Sequence, residues 1–161
     1  MTTMTEVTPH DNGISVGVSA IPQAATSYNL KRIGARPLRF NGSELAMAMS
    51  YTPSVPYWYE INIYRTTEQN FVSTIRLFYQ SDENNDTVRA WNADSLDEAI
   101  EIHTNFDAAD DVYLPKYARA KTLSAAELSA NAMQLLADIK GARNHYQSLI
   151  GEFLYDLECG A

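Results

Sequence analysis

Tyr57–Tyr79, YWYEINIYRTTEQNFVSTIRLFY, alternates apolar and polar side chains on either side of a short polar break. A period of two is the mark of paired strands. Tyr59, Ile61 and Ile63 fall on one face of the first arm and Trp58, Glu60, Asn62 and Tyr64 on the other. Phe71, Ser73, Ile75 and Leu77 share one face of the second arm, and Val72, Thr74, Arg76 and Phe78 the other. Folding the chain at Thr67-Glu68-Gln69 predicts a hairpin in which Ile61 faces Ile75, Tyr59 faces Leu77 and Ile63 faces Ser73. On the opposite side Trp58 meets Phe78, Glu60 meets Arg76, Asn62 meets Thr74 and Tyr64 meets Val72. Each pair is favourable, and a slip of one residue would turn every apolar side chain to the wrong face. The Tyr59/Ile61/Ile63/Ile75/Leu77 face needs a covering layer, so further strands and a helix must pack on the hairpin.

Working outward, Pro37–Asn41 is a short strand with Leu38 and Phe40 on one face, and Gln23–Ala35 is a connection. Gly42-Ser43 is expected to turn the chain. Glu44–Met49 alternates Leu45, Met47 and Met49 with Glu44, Ala46 and Ala48, which favours a strand. Two prolines make Tyr51–Pro56 a loop, Ser81–Asp86 is a polar loop, and Thr87–Trp91 is the next antiparallel strand. Ile14–Ile21 alternates weakly and suits an edge strand, preceded by a disordered tail over residues 1–13.

Ser95 and Glu98 have the spacing of a capping box. The helix they begin, Leu96 to about Phe106, buries Leu96, Ala99, Ile100, His103 and Phe106. It runs into an acidic loop and a short extended piece at Val112–Pro115. Ser124 and Glu127 form a second box, opening the strongest helical pattern in the chain. Leu128, Ala132, Leu135, Ile139, Ala142, Tyr146, Leu149 and Phe153 recur at steps of four and three, widened by Leu136, Ile150 and Leu157. Gly141 is the one place where this helix could divide. The fold class is therefore α+β: an antiparallel β-meander of four or five strands packed against helices, the last one long, in a single domain over residues 14–161.

The 161 residues carry 45% hydrophobic and 20% charged side chains, ordinary for one globular domain. No run is long and apolar enough for a membrane span, and the first residues lack the pattern of a signal peptide. A single cysteine, Cys159, excludes an internal disulfide and points to a reducing cytoplasm. The net charge of −8 is concentrated between Asp82 and Asp111, where ten acids meet one base, Arg89. The remainder is almost neutral, which gives no long-range attraction to nucleic acid.

No phosphate loop, nucleophile elbow, HExxH or paired Cys-x-x-Cys is present. Glu101 and His103 stand about 200° apart on a helix and do not converge on one ion. No catalytic residue, metal or cofactor is expected. Trp58, Tyr64, Arg76 and Phe78, with Arg39 and Arg89 on neighbouring strands, mix stacking surfaces and cations as single-strand binders do; the plainer expectation is that another layer covers the aromatics. The acids Asp94, Asp97, Glu98, Glu101, Asp107, Asp110 and Asp111 could imitate a phosphate backbone, or form a solvated surface.

Arg39-Phe40-x-Gly42, followed by Tyr59-Glu60-Ile61 and Tyr64-Arg65-Thr66, resembles a strand pair of small uncharacterised bacterial proteins over residues 38–115. That resemblance implies no activity. The expectation for function is a small cytoplasmic, non-enzymatic interaction or regulatory protein. It would dimerise through its C-terminal helix at Leu135, Ile139, Tyr146, Leu149 and Phe153. The alternatives are a nucleic-acid or ligand-binding sheet and an acidic DNA mimic.

Overall fold

The computed structural model describes residues 24–51, 56–81, 86–112 and 123–159. The tail over residues 1–13, the strand expected at Ile14–Ile21 and most of the extended piece at Val112–Pro115 lie outside them. Five strands form one antiparallel sheet in sequence order: β1 (Thr26–Arg32), β2 (Ala35–Met49), β3 (Tyr57–Thr66), β4 (Phe71–Tyr79) and β5 (Thr87–Ala93). Two helices follow, α1 (Leu96–Asn105) and α2 (Ala125–Cys159), with a 3-10 turn at Ala108–Asp111 between them.

The expected hairpin is β3–β4, and all seven cross-strand pairs read from the alternation, Trp58–Phe78 to Tyr64–Val72, are present; the ladder adds Tyr57 opposite Tyr79 and Arg65 opposite Phe71. Its turn uses no glycine. Gln69 takes a left-handed φ of 68°, and Arg65 Nη2 donates to Gln69 Oε1 at 2.7 Å. Ile61, Ile63 and Ile75 are completely buried under the helices, in a core shared with Ala99, Tyr146, Leu149 and Phe153.

Two expectations are corrected at β2. Gly42-Ser43 is not a turn: residues 35–49 are one long strand, with a bulge between Glu44 and Ala46 that increases its bend. Gly42 pairs with Thr26 on one side and Thr66 on the other, and a Cβ there would run into the Arg65 carbonyl oxygen. The stretch read as a connection contains β1, which pairs with the first half of β2. The two strands form an arm that curls over the second face of the sheet. Its tip reaches β5, where Ile33 N–H donates to the Val88 carbonyl at 3.1 Å. Tyr28, Leu30, Leu38 and Phe40 on the arm close a second, smaller core over Tyr64, Val72 and Ala90.

The Ser124/Glu127 capping box forms in full and the Ser95/Glu98 box in altered form. Ser95 Oγ accepts from Glu98 N–H at 3.1 Å, while the Glu98 carboxylate reaches one residue beyond the cap to Asp94 N–H at 2.7 Å. Ser124 and Glu127 bond reciprocally at 2.7 and 3.3 Å. The helix they start runs unbroken through Gly141 for 35 residues, about 50 Å. Its fully buried residues, Ala142, Tyr146, Leu149 and Phe153, all lie in the second half; from Ala125 to Gly141 none is fully buried, though Leu135, Asp138 and Ile139 are half-buried.

The two glycines predict opposite outcomes. Gly42→Ala should lower the stability by about 2 kcal/mol or more, because backbone must move to admit the methyl group. Gly141→Ala, where a Cβ meets nothing within 4 Å, should raise it by about 1 kcal/mol. Urea unfolding midpoints of the two variants measure both.

Candidate functional site

The face of the sheet opposite the helices divides into a covered and an open part. Under the β1–β2 arm, Tyr64 is 3% exposed and its ring lies 4.7 Å from that of Tyr28 and 5.4 Å from that of Phe40. Beyond the arm, Trp58 stacks on Phe78 with centroids 5.5 Å apart, and Tyr51 meets Trp58 edge-on at 5.3 Å. Met47 and Met49 lie beside them on β2, opposite Asn62 and Glu60. Of the residues expected to bind through this face, Trp58, Arg76 and Phe78 share the open part and Tyr64 does not. Arg39 is exposed between the inward-facing Leu38 and Phe40, so it points away from this face. Arg89 is on the helix side, bound to Asp111.

Polar groups on this face are held by short bonds. Asn62 and Thr74, both buried, bond to each other at 2.9 Å, and Asn62 Nδ2 donates to Glu44 at 3.1 Å. Arg76 stands opposite Glu60 in the ladder, yet its one hydrogen bond among the described residues is from Nη2 to the Tyr64 hydroxyl at 3.1 Å. Its Nε is buried without a partner.

On the helix side a carboxylate ties the 3-10 turn to the sheet. Arg89 grips Asp111 with two bonds of 2.7 and 3.2 Å, Tyr59 donates its hydroxyl to the same carboxylate at 2.7 Å, and Arg89 lies 5.0 Å from the centre of the Phe106 ring. Burial first, and the neighbouring Asp111 charge second, push the Tyr59 hydroxyl far above the ordinary phenol range. Asp107 accepts a two-pronged bond from Arg143, which with the Ala109 N–H holds its carboxyl down at about 2. The shallow depression beside this pair, lined by Phe106, Asp107, Ala108, Arg143, Tyr146 and Gln147, has about 240 Å³. That is below the ~300 Å³ at which ligand pockets usually begin.

The acidic residues are thus not one free surface. Asp107 and Asp111 are engaged by arginines and Glu98 caps α1; Asp94, Asp97, Glu101 and Asp110 are exposed. Among the described residues no three His, Cys, Asp or Glu side chains converge as a metal site needs, and no helix is long and apolar enough to cross a membrane. Sequence reading missed the Tyr59–Asp111–Arg89 group and the contact of His145 Nε2 with Ser50 Oγ at 2.8 Å. Arg89, the lone base within ten acids, was the available signal for the first; nothing local signals the second.

The residues expected at an oligomer interface also separate. Tyr146, Leu149 and Phe153 are 1–3% exposed in the chain's own core, so a second copy could use them only by unpacking it. Leu135 and Ile139 are half-buried on the first half of α2, near the exposed Leu128, Met133 and Leu136. Comparison of the chain with protein-family models, with curated proteins and with solved structures gives no match.

His103 is fully buried, its Nε2 3.1 Å from the Asn62 carbonyl oxygen and its Nδ1 unpartnered. Burial lowers its pKa from 6.5 to about 4. An unfolded chain therefore takes up the proton at higher pH than the folded one, and stability falls as pH drops from 6.5 towards 4. Above that window the contribution is complete; below it the loss approaches about 3 kcal/mol at ~1.4 kcal/mol per unit. In His103→Gln, which cannot titrate, the dependence of the unfolding midpoint on pH between 4 and 6.5 should flatten.

Proposed function

We propose that this protein acts by binding, as a small interaction or regulatory module that forms a homodimer through the exposed side of the first half of α2. One observation carries the proposal. Between Ala125 and Gly141 the helix fully buries no residue, yet it carries Leu128, Met133 and Leu136 at 39, 72 and 66% exposure. A run of exposed large aliphatics on one element is unusual for a surface that meets only water. The alanines at 125, 126, 130, 132 and 137 would let a second helix approach closely, and a two-fold pairing of identical helices closes without leaving a free end.

The state of the titratable groups supports binding over catalysis. Asp107 and Asp111 are held by arginines, and His103 faces a backbone carbonyl in the core. Ser50 Oγ, beside His145, already accepts the Tyr59 N–H at 2.8 Å. The lone cysteine and the resemblance to small bacterial proteins support a bacterial cytoplasmic setting.

Light scattering tests the dimer. The full chain should show twice its 18.0 kDa mass, and the triple variant Leu128→Glu/Met133→Glu/Leu136→Glu should show the single mass with an unchanged circular-dichroism spectrum, since none of the three touches the core. A full chain of single mass at high micromolar concentration would end the proposal.

A further inference from the structure

The second half of β2 is an open edge. Its ladder with β1 ends where Thr26 meets Gly42, and among the described residues nothing pairs with that side of β2 from Ser43 to Met49. Ser50 N–H points inward, to the Tyr59 carbonyl at 2.9 Å. By the alternation of an antiparallel strand, the amides and carbonyls of Met47 and Met49 point outward. Beside them stand Leu45, Met47, Met49 and Tyr51, each 46–54% exposed. Proteins usually blunt such an edge with proline, lysine or an inward charge; residues 45–49, LAMAM, contain none.

On its other face this edge starts beside Arg65, which stands opposite Ser43 and bonds Gln69, and then runs under α2. Helix α2 lies over β2, where Ala46 and Ala48 join the core and His145 touches Ser50. Arg143, on the opposite flank of the helix, turns to Asp107. Glu152 and Asp156 follow His145 by seven and eleven residues, which places them on its β2-facing flank, and both are exposed. A strand laid along β2 would thus meet methionine and tyrosine side chains on one face and carboxylates on the other.

We propose that this edge binds an extended segment of a partner protein as an added strand, with apolar side chains alternating with lysine or arginine. Main-chain bonds to Met47 and Met49 hold the segment, and its alternate side chains meet the two unlike faces. Charge selects this occupant. A second copy paired edge to edge would bring its own Glu152 and Asp156 against the same acids. Residues 1–23 of this chain contain no lysine or arginine, and carry Glu6 and Asp11. The α2 dimer uses a different surface, so neither proposal requires the other.

The test is an anisotropy titration of the full chain with a labelled octapeptide alternating Val and Lys. Saturable binding is expected, weakened by salt. It should fall roughly tenfold in the exposed double variant Glu152→Lys/Asp156→Lys, and be lost when the amides along one edge of the peptide are N-methylated. Equal binding of the N-methylated peptide would reduce the effect to charge attraction and overturn the proposal, as would no binding at millimolar peptide. Binding only by a chain starting at residue 24 would make this protein's own leading segment the occupant, and dissociation of a wild-type dimer by Met47→Lys would make it a second copy; either result overturns the proposal.

Discussion

Nine consecutive cross-strand pairs between β3 and β4 carry the rest of the structure. What makes this ladder decisive is that much of it is buried on both faces. Ile61, Ile63 and Ile75 are sealed under the helices, and Asn62, Tyr64, Val72 and Thr74 are sealed on the side of the β1–β2 arm. A one-residue slip of β3 would put Asn62 into the aliphatic core, away from Thr74, and turn Ile61 and Ile63 towards Glu44 and Arg76. The polar pair thus fixes the register from one side as firmly as the isoleucines do from the other. His103 adds a further bond to the same position, to the Asn62 carbonyl, so α1 is oriented by the central strand as well as packed on it.

The two layers covering this ladder are built differently. On the helix side, large side chains supply the adhesion, and aromatic edges interlock Tyr59, Phe106 and Tyr146 at 5.1–6.4 Å. On the other side the sheet folds over itself, and the bend is possible because Gly42 lets two backbones approach where any side chain would collide. The arm is too short to cover the whole face, so the Trp58–Phe78 stack and the methionines of β2 are left at the rim.

The hairpin was legible in sequence because the alternation of aliphatic with polar or aromatic side chains is a local property. The arm was not, because its evidence is distributed. In β1, TSYNLKR, only Leu30 is buried, too little for a period to show, and Gly42-Ser43 has the composition of a turn while serving close packing. The Asp111 group joins residues 52 and 22 positions apart; a loop aspartate that is solvated and one that is clamped look alike in sequence. The stripe on α2 shows the same limit from another direction. Periodicity places Leu135, Ile139, Tyr146, Leu149 and Phe153 on one face, but which part of that face meets the sheet depends on where the sheet ends.

The first half of α2 is an energetic problem as well as a surface. Most helical stability in a protein comes from tertiary packing, and before Ala142 no residue of α2 is fully buried; Leu135, Asp138 and Ile139 are half-buried. The first half is supported by propagation from the second, by the reciprocal Ser124–Glu127 cap, by a Gln134–Asp138 side-chain bond of 2.8 Å and by the partial burial of Leu135 and Ile139. Gly141 sits at the junction and weakens that propagation where it matters most. Opening from the capped end therefore exposes no fully buried residue until it reaches Ala142. Any occupant of Leu128, Met133 and Leu136 gains apolar area and also has to hold those turns in helical form. Its affinity and the local stability of the helix are then two expressions of one free energy.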